Sequence, residues 1–199
     1  MKILKVFDNN PNPKYIDMVV EALRDGEIII YPTDTLYAID ALNNNAINKI
    51  CKLKGINPDK TNLSIICDGI SMAAEYARFD NRQFKVLKSN LPGPFTFILP
   101  SSSSLPKVFK GRKTVGIRVP KNNVVVALVR SLGNPILSTT ISFKDDDYAV
   151  NPELIAETYA GSAAYLLDDG DGGLIPSTVV DMTSGELEIV REGKGELIY

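Results

Sequence analysis

Thr33, Asp34, Thr35 and Tyr37 set three hydroxyls and one carboxylate directly behind Glu27-Ile28-Ile29-Ile30-Tyr31, a β-branched run of the kind that makes a buried strand. Pro32 cannot donate to a sheet ladder, so the strand ends there and turn chemistry follows. In α/β sheets ligands bind at such strand ends. The same residues would also serve to cap the next helix or close a turn, so company decides between the two readings.

Four further segments carry polar groups where a plain core strand or helix would not. Lys52 and Lys54 close a helix-like segment before Gly55, where they complement the helix C-terminus or reach a ligand. Arg118 interrupts the apolar run Val115 to Val119; a buried guanidinium is costly without an anion, which is either an internal carboxylate or a bound one. Ser138-Thr139-Thr140-Ile141-Ser142 ends a strand in hydroxyls that cap a turn or line a pocket. Arg191, between Glu188 and Glu192, forms an exposed ion pair or contacts phosphate.

The chain of 199 residues contains no histidine, which excludes Ser-His-Asp and Cys-His mechanisms and an imidazole base. Cys51 and Cys67 match no zinc or CxxC spacing and read as buried thiols. There is no Walker A or GxGxxG sequence, and Asp168, Asp169 and Asp171 fit no calcium loop, so no metal site is assigned. A net charge of −2 gives no global attraction to nucleic acid but leaves room for a local basic surface. No apolar run is long enough to span a bilayer, and the first residues lack the apolar core of a signal peptide, so a cytoplasmic location is expected.

The elements that must position these groups follow from periodicity. Ile16, Val19, Val20 and Leu23 mark one helix with Gly26 as its stop; Ala46, Ile47, Ile50 and Cys51 mark a second, entered through Asn43-Asn44-Asn45 and left at Gly55. Leu63–Cys67, Phe95–Leu99, Thr114–Pro120, Ile136–Ser142, Tyr165–Leu167, Ser177–Met182 and Ile189–Arg191 read as strands. Ser71–Ala77, Arg82–Asn90, Val124–Leu132 and Pro152–Tyr159 read as helices, and Ser101–Ser104 as a loop. No repeat is visible, and the pattern is that of a single mixed α/β domain with seven or more strands.

Taken in order, the segments resemble the YrdC/YciO family, which includes the threonylcarbamoyl-AMP synthases. The matching stretches are Pro32-Thr33-Asp34-Thr35-Leu36-Tyr37-Ala38-Ile39, Lys54-Gly55-Ile56-Asn57-Pro58, Leu91-Pro92-Gly93-Pro94-Phe95-Thr96-Phe97-Ile98-Leu99, Thr114-Val115-Gly116-Ile117-Arg118-Val119-Pro120, Ser138-Thr139-Thr140-Ile141-Ser142, Ser177-Thr178-Val179-Val180-Asp181-Met182-Thr183 and Val190-Arg191-Glu192-Gly193. The resemblance implies one YrdC-like domain over residues 1–199, with a twisted mixed sheet and flanking helices around a basic cavity. It also implies a reaction of L-threonine, bicarbonate and ATP, with Mg2+ on the phosphates, giving threonylcarbamoyl-adenylate and pyrophosphate for modification of adenosine-37 of tRNA. Carried over position by position, Thr35, Arg118, Thr140 and Ser177 hold the threonine, with Arg118 on its carboxylate. Lys54, Thr114, Ser142 and Arg191 face the nucleotide, and Lys54 and Thr140 stand at the reacting groups. Positioning and charge neutralisation carry such chemistry, which suits a chain without histidine.

Two departures set this chain apart from the synthases. Their lysine is followed two residues later by an arginine where this chain has Ile56, and their SxN segment ends in asparagine where it has Ser142. Losing a bidentate fork that faces phosphates weakens catalysis by several kcal/mol unless Lys52 or Lys60 compensates. Both departures resemble the YciO branch, with which double-stranded RNA or nucleotide binding and RNA maturation have been associated.

Overall fold

A computed structural model describes residues 1–57, 64–105 and 111–199. Most of its helices begin where a short polar side chain can take the place of the missing helical acceptors. Asn12, Asn43, Asn122 and Asn151 accept backbone N–H groups at the starts of α1 (Pro13–Arg24), α2 (Asn44–Lys54), α5 (Asn123–Leu132) and α7 (Pro152–Thr158). A reciprocal Asp80–Gln83 pair starts α4 (Asn81–Asn90), and α3 (Ile70–Tyr76) and the short α6 (Asp147–Val150) complete the set.

Ten strands form one mixed sheet: β1 (Lys2–Lys5), β2 (Ile29–Tyr31), β3 (Ala38–Ala41), β4 (Ser64–Ile66), β5 (Phe95–Pro100), β6 (Thr114–Arg118), β7 (Ile136–Thr140), β8 (Tyr165–Asp168), β9 (Thr178–Asp181) and β10 (Glu188–Arg191). Their spatial order is β1-β8-β2-β3-β7-β4-β6-β5-β9-β10. The pairs β1/β8, β8/β2, β4/β6 and β5/β9 are parallel and the remaining pairs antiparallel.

Successive residues of a strand point to opposite faces, which divides the core in two. One face carries Ile28, Ile30, Ile39, Ile65, Phe97 and Ile117 against α2, α3, α4 and α7. The other carries Ile29, Tyr31, Ala38, Ile66, Ile136 and Leu167 against α1 and α5. This second face is apolar only where those two helices cover it. Two residues along, Ile136 gives way to Ser138 and Ile66 to Ser64, and the sheet turns polar.

The α/β architecture and most elements follow the sequence reading, and both cysteines are buried free thiols. Three elements depart from it. The segment after Tyr37 forms strand β3, hairpinned back onto β2, which the pattern had not marked, while the next helix is entered at Asn43 as the sequence reading had it. Residues 2–5 and 147–150 also form elements that the sequence pattern had not marked. The start of the expected strand at Leu63, and Lys60 and Pro58, lie outside the described residues. Among the described residues no helix is long and apolar enough to cross a membrane.

Candidate active site: a cationic cavity on the polar half of the sheet

Adjacent strands set Asp40, Ser138, Ser64, Gly116 and Ile98 in one transverse row, β3 to β7 to β4 to β6 to β5. Residues opposite each other in register share a face. All but Asp40 line a half-open cavity of about 290 Å³. Thr96, Thr140 and Ser177 add hydroxyls, Val179 and Val190 an apolar wall, and Arg118 and Arg191 two guanidinium groups.

Gly116 keeps the floor open. A Cβ there would lie 2.7 Å from Ser64 Oγ and 3.3 Å from Thr96 Cγ2. Gly116→Val is therefore expected to fill the floor and weaken binding of any ligand by about tenfold or more, at a fold cost of about 1–3 kcal/mol. Calorimetric titration alongside thermal unfolding separates the two effects.

The Thr33–Tyr37 turn stands behind Arg118 and fixes it. Thr33 Oγ1 donates to Leu36 O (2.7 Å) and accepts from Thr35 N (3.1 Å), which closes the turn locally. Gly173 N donates to Thr35 O (2.9 Å), and a Cβ at Gly173 would collide with that carbonyl, so the glycine loop buttresses the turn from behind. Thr35 is thus buried with its hydroxyl turned to Arg118, whose Nη2 donates to Thr35 Oγ1 (3.0 Å) and Asp34 Oδ1 (3.2 Å). Asp34 also accepts from Lys121 N (3.0 Å), and its carbonyl accepts from Lys194 Nζ (2.6 Å). The internal carboxylate that Arg118 requires is therefore Asp34. The pairing leaves Arg118 Nε buried without a hydrogen-bond partner among the described residues.

Arg191 Nε and Nη2 donate to Ser177 O at 3.1 and 2.8 Å, and Nη2 also donates to Ser177 Oγ at 3.1 Å. Ser177 Oγ lies 2.8 Å from Thr96 Oγ1. Burial, and secondarily the nearby Arg118 cation, lower the pKa of Arg191. Two like charges share this hollow, and the carboxylate beside them is already bonded, so the cavity favours an anion.

Lys54, carried by α2 with Gly55 in the left-handed region (φ 62°), donates from Nζ to the carbonyl of Thr140. Burial lowers its pKa as well. Arg118, Thr140, Ser177 and Arg191 thus line one cavity, with Thr35 bonded to Arg118 and Lys54 to the Thr140 carbonyl beside it. Thr114 opens β6 opposite Pro100 and is not among the lining residues. Ser142 is exposed, its backbone N–H donating to Tyr159 OH (2.7 Å), and it borders a separate hollow with Phe143. Ile56 packs partly buried against the core, and Lys52 is exposed beside Lys49 on another surface.

The residues that sequence reading missed are Thr96, Ser64 and Lys194. Thr96 and Ser64 look like ordinary strand positions until register aligns them with Ser177 and Ser138. A resident metal does not fit the donor set, because no group of three or more carboxylates or thiols is assembled among the described residues. Magnesium would have to enter on phosphate oxygens.

A family model named Sua5_yciO_yrdC and described as telomere recombination matches residues 21–193. The uncharacterized protein YciO of Escherichia coli is 34% identical over 96% of this chain and 95% of its own length. The crystal structure of E. coli YciO superposes with a TM-score of 0.90, at 33% identity, covering 98% and 97% of the two chains. The threonylcarbamoyl-AMP synthase of Pyrococcus abyssi is 26% identical over 86% of this chain, which spans 52% of that protein. The crystal structure of P. abyssi Sua5 complexed with L-threonine gives a TM-score of 0.85 at 26% identity, over 97% of this chain and 58% of the other.

Proposed function

This chain belongs to the Sua5/YciO/YrdC family, and from that premise we propose that its cavity binds L-threonine next to ATP, as a threonylcarbamoyl-AMP synthase-like protein of the tRNA modification pathway with weakened turnover. The observation that carries this reading is Arg118, buried in a hydroxyl-lined hollow with Nε unpartnered. A small carboxylate is the group such a site lacks. Arg118 takes the amino acid's carboxylate, while Thr35, Thr140 and Ser177 bond its polar substituents. The amine, carboxylated by bicarbonate, is left facing Lys54 and Arg191.

Those two cations would neutralise the phosphates as the carbamate oxygen bonds the α-phosphorus and pyrophosphate leaves, with Mg2+ arriving on the ATP. The protein's contribution is position and charge. Turnover is weakened because Ile56 packs inward where the synthases present an arginine, so no second fork meets the phosphates. That same packing favours a second reading, in which the cavity binds a nucleotide or double-stranded RNA without turnover.

The test is pyrophosphate release from ATP, dependent on L-threonine and bicarbonate, by the natural chain and by an Ile56→Arg variant. The expected result is slow release by the natural chain and a rise of about tenfold or more in the variant. A silent natural chain with salt-sensitive RNA binding supports the second reading. If neither protein releases pyrophosphate nor binds L-threonine, the synthase-like reading is overturned.

A further inference from the structure

Asp40 is an acid placed where a sheet core has no use for one. It is fully buried in β3 between Ile39 and Ala41, in direct register with Ser138 of the cavity row. Its Oδ2 accepts a hydrogen bond from the buried Tyr31 OH, and its Oδ1 has no partner among the described residues. An ionised carboxylate with an unfilled oxygen is poorly tolerated in such surroundings, whereas the protonated form is neutral and can itself donate. The two orphaned polar atoms on this face of the sheet, Asp40 Oδ1 and Arg118 Nε, belong to groups of opposite charge.

We propose that Asp40 is a proton-linked positioning residue of the cavity, taking up a proton when an anionic group binds Arg118 and thereby setting the pH range over which that anion is held. The inference rests on the reading of the cavity as a carboxylate site.

The groups facing Asp40 can be named element by element. β2 contributes Tyr31, β7 the Ser138 hydroxyl and the Thr139 backbone, and β6 the Arg118 cation, which Asp34 pairs on its far side. The buried residues of α1 and α5, the helices packed on this face, are apolar. Burial raises the Asp40 carboxyl to about 7, and the Tyr31 and Ser138 hydroxyls and then Arg118 hold it from rising further.

The negative charge of an anion at Arg118 offsets that cation's field at Asp40, so the carboxyl rises again. Linkage is reciprocal, and protonated Asp40 must therefore strengthen anion binding by the same factor. Affinity is flat below the free-state value and falls above it, until the pH passes the value in the complex. Each unit by which the ligand moves Asp40 is worth about tenfold in affinity.

The test uses the full chain with ¹³C-carboxyl aspartate, its Asp40 resonance identified by the Asp40→Asn variant, titrated with and without L-threonine. Calorimetry runs alongside from about pH 6 to about pH 8, below the titration of the ligand amine. The expected results are a near-neutral Asp40 transition that moves upward with L-threonine, an affinity that drops several-fold across the range, and a flat profile in Asp40→Asn. An Asp40 resonance that titrates below about pH 5 overturns the inference. So does a near-neutral one that bound L-threonine leaves in place, or an Asp40→Asn profile as steep as the wild type. If L-threonine binds at no pH, the functional reading fails, and Arg118→Gln then decides the inference alone: loss of the cation must raise the Asp40 transition, and an unmoved transition overturns the coupling.

Discussion

Arg118→Met is expected to weaken L-threonine binding by at least about thirtyfold while leaving the chain folded, because charge-assisted bonds to a desolvated guanidinium are worth about 2–5 kcal/mol when one partner is removed. The substitution removes the nitrogen that has no internal partner, Nε, together with the Nη2 that fixes Thr35 and Asp34. Breaking a fully buried pair would cost about 3–5 kcal/mol of stability. Here Asp34 keeps its bond from Lys121 N, and both side chains of the pair retain about a tenth of their exposure, so the loss should fall below that range. Arg118→Lys should not restore affinity, since an ammonium cannot bond Thr35, Asp34 and a ligand carboxylate in the fixed directions of a planar fork. Calorimetric titration with L-threonine and thermal unfolding of both variants check this. Affinity retained within about twofold in Arg118→Met would remove the carboxylate from this cavity.

Arg118 was visible in the sequence because it breaks an apolar strand, and the structure supplies its partner from Asp34 of the turn that first drew attention. Asp40 breaks a strand in the same way, within Ala38-Ile39-Asp40-Ala41, but two alanines and an aspartate carry little β-propensity, so the strand itself went unseen. Pairing with β2 on one side and β7 on the other makes it a strand, and that is tertiary information. The cavity floor is hidden for a related reason. Gly116, Ser64 and Ser138 are unremarkable singly and become a floor only because β4, far from both along the chain, inserts between the consecutive strands β6 and β7. Motif order pointed to Thr35, Ser177 and Arg191, but motif order cannot show that Ser142 faces outward while Thr140, two residues before it, lines the cavity.

Asp40→Asn is expected to stabilise the fold by about 4 kcal/mol above neutral pH and by little at about pH 4. Burial raises Asp40 from 3.8 to about 7 on folding, so between those values the native chain holds a proton that the unfolded chain has released. With more protons bound in the native state, stability falls as pH rises through this window, and the full penalty is present above the folded value. That sign is opposite to the one for a salt-bridged carboxylate. Asparagine keeps an acceptor for Tyr31 OH and removes the ionisation, so the penalty should vanish. Asp40→Ala should gain less, because it leaves a buried phenol unbonded at a cost of about 1–3 kcal/mol. For a chain of this size each kcal/mol moves the melting temperature by about 2–4 °C. Thermal unfolding from about pH 4 to about pH 8 should therefore show the wild type converging on Asp40→Asn at the acid end and falling well below it above neutrality. Parallel melting curves would mean that Asp40 is charged, or neutral, throughout. The stability lost to an ionisable group at this position is what a proton-linked binding site requires, since a residue that couples a ligand to pH must be unsatisfied in one of its two states.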